Sequence, residues 1–118
     1  MRSDKARDAG MVTAELAACL PVLVLVLAVA LSAVSVAGDR VRVADAAREL
    51  ARAAARGDAA AGTRLAQVAA PGAALEVSTS GDRVIAVVRL RVHLVAGWLP
   101  AVTVSERAVA AAEPSVPP

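Results

Sequence analysis

Few residues in this chain have the type and spacing to do chemistry, and the first is a lone carboxylate. Glu15 stands at the edge of a run of 23 residues, Leu16 to Gly38, that contains no charged side chain. A carboxylate beside so long an apolar stretch is costly and needs a reason. One reason is local: acidic residues favour a helix N-terminus, and a hydrated Glu15 would mark the start of the helix at a membrane interface. The other is pairing. Cleavage after Gly10 would create a positive α-amino group on Met11, and in a bundle of such helices Glu15 of one subunit can meet the Met11 amine of its neighbour. Little water reaches such a pair, so its attraction exceeds that of a surface pair. It would fix axial register where Leu and Val contacts alone would let helices slide.

The remaining reactive residues lack partners. Cys19 is the only cysteine, which excludes an internal disulfide and a multi-cysteine metal site. A thiol in lipid has nothing to stabilise a thiolate, so Cys19 reads as a small apolar residue of the helix. His93 is the only histidine and falls on the polar side of a strand, so it is expected to be solvated rather than a metal ligand. Thr13 and Ser32 lie in the apolar helix with no base beside them. No nucleophile–base pair, phosphate loop or metal cluster appears, so neither an enzyme nor a cofactor is expected. Net charge is +2, with both signs mixed along the chain, which is not a nucleic-acid footprint.

The elements that position these residues follow from hydrophobic period. The 118 residues suffice for one domain, and their 58% hydrophobic content lies above the usual soluble range. The excess is Ala, Val and Leu; there is no Phe or Tyr, so any core buries little area per residue. Residues 1–10, MRSDKARDAG, are polar. The run from Leu16 to Gly38 would span a bilayer core of about 30 Å as a helix, and a chain this short lacks the bulk to cover such a helix on all sides. Pro21 either loosens that helix or sits in its first turns, where it costs little.

Residues 39–56 read as the helix continuing out of the membrane. Arg42, Asp45, Glu49, Arg52 and Arg56 form a polar stripe, and Val43, Ala46, Ala47, Leu50 and Ala54 an apolar one. Glu49 and Arg52 are spaced to pair. Gly57 and Asp58 are expected to end or break the helix, residues 63–70 to add a turn or two, and Pro71-Gly72 to punctuate the chain. The period then becomes two. Leu75, Val77 and Thr79 alternate with polar residues up to a tight turn at Gly81-Asp82, with Ser80-Gly81 as the other possible centre. Val84, Ala86, Val88, Leu90, Val92 and Leu94 share one face, with Arg83, Arg89, Arg91 and His93 opposite. Gly97 to Pro100 make a connection, in which Trp98, the one aromatic, is expected to anchor the core. Val102, Val104 and Ala108 give a third strand, and EPSVPP is a Pro-rich tail expected to be disordered. The fold class is therefore α+β: a transmembrane helix running into an amphipathic helix, then a three-stranded antiparallel meander.

Three processing signals compete at the N-terminus. Leu16-Ala17-Ala18-Cys19 fits a lipobox locally, but the apolar segment follows the cysteine rather than preceding it. Ser35 and Ala37 suit secretory cleavage after Ala37, but the apolar run is longer than usual and a carboxylate opens it. The third layout, favoured here, cuts after Gly10. The basic leader, Gly10, Glu15 and the uninterrupted apolar helix resemble the class III prepilin signal of Flp-type and tight-adherence (Tad) pilus proteins. Through the small β-rich domain and the Ala-rich ERAVAAAEPS segment, residues 106–115, the chain resembles TadE-like minor pilins. Major Flp pilins usually carry Tyr after the Glu and are shorter. Leu16 and the length here point to a minor pilin or pseudopilin instead.

The resemblance implies a pilin-like architecture. Residues 1–10 would be a prepilin leader, 11–38 the transmembrane helix, 39–70 an extracytoplasmic amphipathic helix, 74–112 the β domain and 113–118 the tail. It implies processing at Gly10 and Met11 by a prepilin peptidase, and register set by Met11 and Glu15. The partners would be the lipid bilayer, other pilin or pseudopilin subunits and the Tad secretion machinery. It also implies an N-terminus in the cytoplasm. The Lys and Arg count leans the other way, with Arg2, Lys5 and Arg7 before the span against Arg40, Arg42, Arg48, Arg52 and Arg56 after it. A reading from another class is a secreted or single-pass binding module, using Arg89, Arg91 and His93 as a shallow anion-preferring patch.

Overall fold

The computed structural model describes residues 2–95 and 97–114, Arg2 by its backbone alone. Helix α1 runs Arg2–Ala55, 54 residues, about 81 Å at 1.5 Å per residue. Helix α2 spans Ala59–Ala69, and strands β1 (Ala74–Ser80), β2 (Arg83–Val92) and β3 (Val102–Ala111) follow. The extents of 98 × 20 × 20 Å are those of a rod with a small head. The radius of gyration is 24.7 Å, where a compact chain of this length would have about 13–14 Å.

α1 opens with the polar residues up to Gly10 and is apolar from Leu16 to Gly38, because nothing interrupts the Leu and Val run. Pro21 lies well inside it rather than in its first turns, so the reading that placed it at the helix start is corrected. The stretch is long and apolar enough to cross a membrane, and almost none of it is covered by protein. Beyond Gly38 the sequence changes to small residues between charges, and α1 becomes the spine of the head.

The segment 39–70 is two helices, broken where Gly57 and Asp58 stand. Gly57 takes φ 82°, a conformation glycine adopts at little cost. The Asp58 N–H then reaches the Ala53 carbonyl at 2.9 Å and the Gly57 N–H the Ala54 carbonyl at 3.0 Å, a Schellman closure of α1. Asp58 also starts α2, its carboxylate accepting from the Ala61 N–H at 3.0 Å. α2 folds back on α1 at Gly62, where an added Cβ would lie 2.7 Å from the Ala53 Cβ.

The sheet is a meander in the order β1-β2-β3, antiparallel throughout. Ser80 pairs with Arg83, so Gly81-Asp82 is the turn, with Gly81 at φ 61° in its first central position. Ala86, Val88 and Val92 of β2 and Val104 of β3 turn inward onto Val43, Ala46, Ala47, Leu50 and Ala51 of α1, and Val84 is buried near the end of the helix. β1 is the uncovered edge: Leu75 is half-buried, but Val77 and Thr79 are exposed although they share its face. The end of β3 is tied down by the Glu113 N–H, which donates to the last carbonyl of α1, Ala55, at 3.0 Å. Of the tail expected to be disordered, residues 115–118 lie outside the described residues.

Two side-chain expectations are corrected. Trp98 is 76% exposed on the β2–β3 loop and anchors no core. Among the described residues the buried core consists of Ala, Val and Leu50, and Trp98 lies on a loop outside it. Glu49 and Arg52 do not pair; among the described residues the ion pairs within α1 are Arg42–Asp39 at 3.5 Å and Arg48–Asp45 at 3.2 Å. Glu49 is half-buried on the flank of the helix, and Arg52 is exposed.

Candidate processing and assembly site

Gly10, Met11 and Glu15 all lie on the uninterrupted N-terminal part of α1, and all are exposed. Met11 and Glu15 are four residues apart, so they share one face a turn apart. A Cβ added at Gly10 would meet nothing within 4 Å, and its φ is not among the positive ones. Neither packing nor backbone geometry requires a glycine there, although one inside a helix costs about 1 kcal/mol relative to Ala. The Thr13 hydroxyl donates to the Ala9 carbonyl at 2.9 Å, bridging the Gly10–Met11 bond from the outside. Cleavage after Gly10 would remove that acceptor.

Among the described residues Glu15 makes no ion pair or hydrogen bond. C-terminal to it, Leu16, Leu20, Leu23, Leu25, Leu27 and Leu31 are more than half exposed, as are the valines between them. The fold thus presents one carboxylate at the head of a long bare apolar surface. Cys19 is exposed on that surface.

The strand-face patch is weaker than its sequence suggests. Arg89 is held by Glu76 on the neighbouring strand at 3.1 Å, which leaves Arg91 and His93 as exposed neighbours without such a partner among the described residues. Among the described residues no group of three His, Cys, Asp or Glu side chains gathers to hold a metal ion.

One contact has no counterpart in the sequence reading. Ser32, assigned there only as a residue of the apolar helix, is 5% exposed. Its hydroxyl donates to the Ala28 carbonyl at 2.8 Å and accepts from the Val95 N–H of the β2–β3 loop at 3.3 Å. A serine in an apolar run signals a polar contact without saying with what, so the loop could not be found from the pattern.

Fold and helix together define a class: an α+β protein whose first helix is long and apolar enough to anchor it in a membrane. The chain is 43% identical over 101 residues, 85% of its own length and 78% of the relative's, to the apoptosis inhibitor Rv3655c of Mycobacterium tuberculosis (strain ATCC 25618 / H37Rv). It belongs to the family of that protein. No family model matches the chain, and no solved structure matches it.

Proposed function

We propose that this chain is a minor pilin, pseudopilin or assembly factor of a Tad/Flp-type pilus or related secretion apparatus. Its N-terminus would lie in the cytoplasm and its head outside, with α1 spanning the membrane between them. The observation that supports this most is the start of α1. There Gly10, a glycine with no packing duty, stands inside the helix, and Glu15, which has no partner among the described residues, opens its bare apolar stretch. A side-chain-free residue suits a peptidase pocket at the membrane face. Removal of residues 1–10 would start the mature helix at Met11, with Glu15 one turn in. In a bundle the bare Leu and Val surface supplies non-specific attraction. The pair between Glu15 and a neighbour's Met11 amine supplies register, because any slide separates two poorly hydrated charges.

A second reading is a membrane-anchored or released binding module, consistent with the name of the mycobacterial relative, an apoptosis inhibitor. The two readings differ in the mature N-terminus. Protein taken from its native membrane is expected to begin at Met11, and Gly10→Leu is expected to leave the leader attached, as read by intact mass. A wild-type N-terminus at Gly38 supports the binding module, and normal processing of Gly10→Leu overturns the assignment of the site.

A further inference from the structure

We propose that the β2–β3 loop is a second membrane contact, inserting Val95, Trp98 and Leu99 into the outer boundary of the bilayer beside α1. The proposal rests on α1 spanning the membrane, not on any pilus role.

The height of the loop along α1 carries the proposal. The Val95 N–H donates to the Ser32 hydroxyl, and Ser32 lies six residues before Gly38, about 9 Å of helix inside the apolar run. A hydrocarbon core of about 30 Å takes about 20 helical residues. If that core begins as early as the charge of Glu15 allows, at Leu16, it ends near Ser35. Ser32 is then still about 4–5 Å inside it. In every placement of about 20 residues that keeps both Glu15 and Asp39 outside the core, the Ser32 contact therefore lies about 4–9 Å inside its outer boundary, so the loop dips into the edge of the apolar layer.

The composition of the loop fits that level. From Leu94 to Ser105 the chain carries no charged residue. Val95 is 60% exposed and Trp98 76%, and Trp98 is the largest of the apolar side chains that the head leaves exposed. An indole is favoured where one end meets hydrocarbon and the other meets water, the environment of a membrane interface. Between the loop and the helix is an open cleft of about 470 Å³, walled by Val29, Val36, Ala37, Leu94 and Leu99. Arg40, two residues beyond the apolar run and paired with Glu106 at 3.0 Å, also lines it, at a height where a guanidinium meets the headgroup layer. The cleft continues the bare surface of α1, so the lipid that covers one would fill the other. The Ser32–Val95 hydrogen bond also has a physical reason here, since a loop N–H entering an apolar layer needs an acceptor.

Trp98 is the only Trp, and there is no Tyr, so its fluorescence reports the loop in the unmodified full chain. The protein is reconstituted into phosphatidylcholine liposomes, and membrane insertion is read by flotation. Emission is then compared in lipids brominated near the headgroup and near the chain ends. Floating protein should show blue-shifted emission, quenched about twofold more by the shallow bromines than by the deep ones. Protein that floats but whose emission stays red and insensitive to bromine overturns the loop insertion and leaves the span intact. A blue shift that grows with protein-to-lipid ratio and is not quenched by bromine assigns the loop to a second copy of the chain, and also overturns it. Failure to float removes the span and the loop proposal together.

Discussion

The two halves of α1 are continuous in backbone and opposite in surroundings. From Met11 to Val34 the helix is built from Leu, Val and Ala with no charge after Glu15, and its large side chains stand exposed. From Val43 to Ala55 it holds one Leu, and Ala fills most positions between the charges. Here Val43, Ala46, Ala47 and Leu50 are fully covered by the sheet and α2. The difference lies in what each half is shaped to meet. Small side chains let other backbones approach closely, so the second half gains contact area from protein. Bulky side chains all round the helix leave no preferred face for a sheet, and a chain this size has nothing left to cover them. The first half therefore takes its apolar surroundings from outside the chain.

A pair of matched truncations gives the largest test of that contrast. Leu50→Ala should cost about 2–5 kcal/mol of stability, because Leu50 is fully enclosed between α1, α2 and the sheet and its cavity cannot collapse onto a rigid sheet. Leu25→Ala removes the same atoms from a side chain that is half exposed in the first half, and should leave the melting of the head unchanged. Thermal unfolding of the full chain in detergent, followed by circular dichroism, compares the two. Equal losses would mean that the first half also packs on protein, and the contrast would fail.

Gly62→Ala probes how tightly the covered half is covered. The new methyl would lie 2.7 Å from the Ala53 Cβ and 3.3 Å from a Leu50 methyl. The first neighbour is a Cβ fixed to its backbone and cannot rotate away, so α2 must lift from α1. Overpacking of this kind costs about 1–3 kcal/mol, more than the few tenths to 1 kcal/mol that Ala gains over Gly in a helix. A lowered melting temperature is expected. A raised one would show that α2 rides loosely on α1 and that helix propensity prevails.

Much of this architecture was legible in the sequence because it rests on period. The apolar stripe Val43, Ala46, Ala47 and Leu50, the inward face of β2 and the breaks at Gly57 and Gly81 are each set by local spacing, and each is where the pattern put it. The residues that were misread depend on distances between elements. The one aromatic, Trp98, is expected in the core, but it falls on the loop between β2 and β3, and the core is made by small residues of the helices and strands themselves. Val77 and Thr79 alternate correctly, yet they face solvent because α1 lies over β2 and β3 and not over β1. Gly62 gave no signal and Ser32 only the hint of a polar contact, since what each touches lies on another element. At the candidate site the helical spacing of Met11 and Glu15 was legible, but Gly10 was expected in a leader ahead of the helix, whereas α1 already begins at Arg2. That Gly10 has no structural duty was visible only once its surroundings were known.

The smallest effect is expected at the junction of the two halves, where Arg40 meets Glu106 of β3 at 3.0 Å. The pair joins residues far apart in sequence and looks like a clasp between helix and sheet. Its surroundings argue otherwise: the side chains are 72% and 29% exposed, so water and salt screen most of the attraction. Exposed pairs of this kind contribute about 0.2–1 kcal/mol, and holding the long Arg40 side chain in place offsets part of that. A double-mutant cycle with Arg40→Gln and Glu106→Gln, in detergent at low salt, should give a coupling in that range, falling as salt is raised. The same cycle in liposomes locates the boundary between the two halves. If Arg40 stands at the headgroup layer, its own affinity for lipid phosphate competes with Glu106, and the coupling should shrink further. A coupling above about 2 kcal/mol that is insensitive to salt would mean the pair is shielded from water. The covered half of α1 would then begin before Arg40, and the bare half would be shorter than the apolar run.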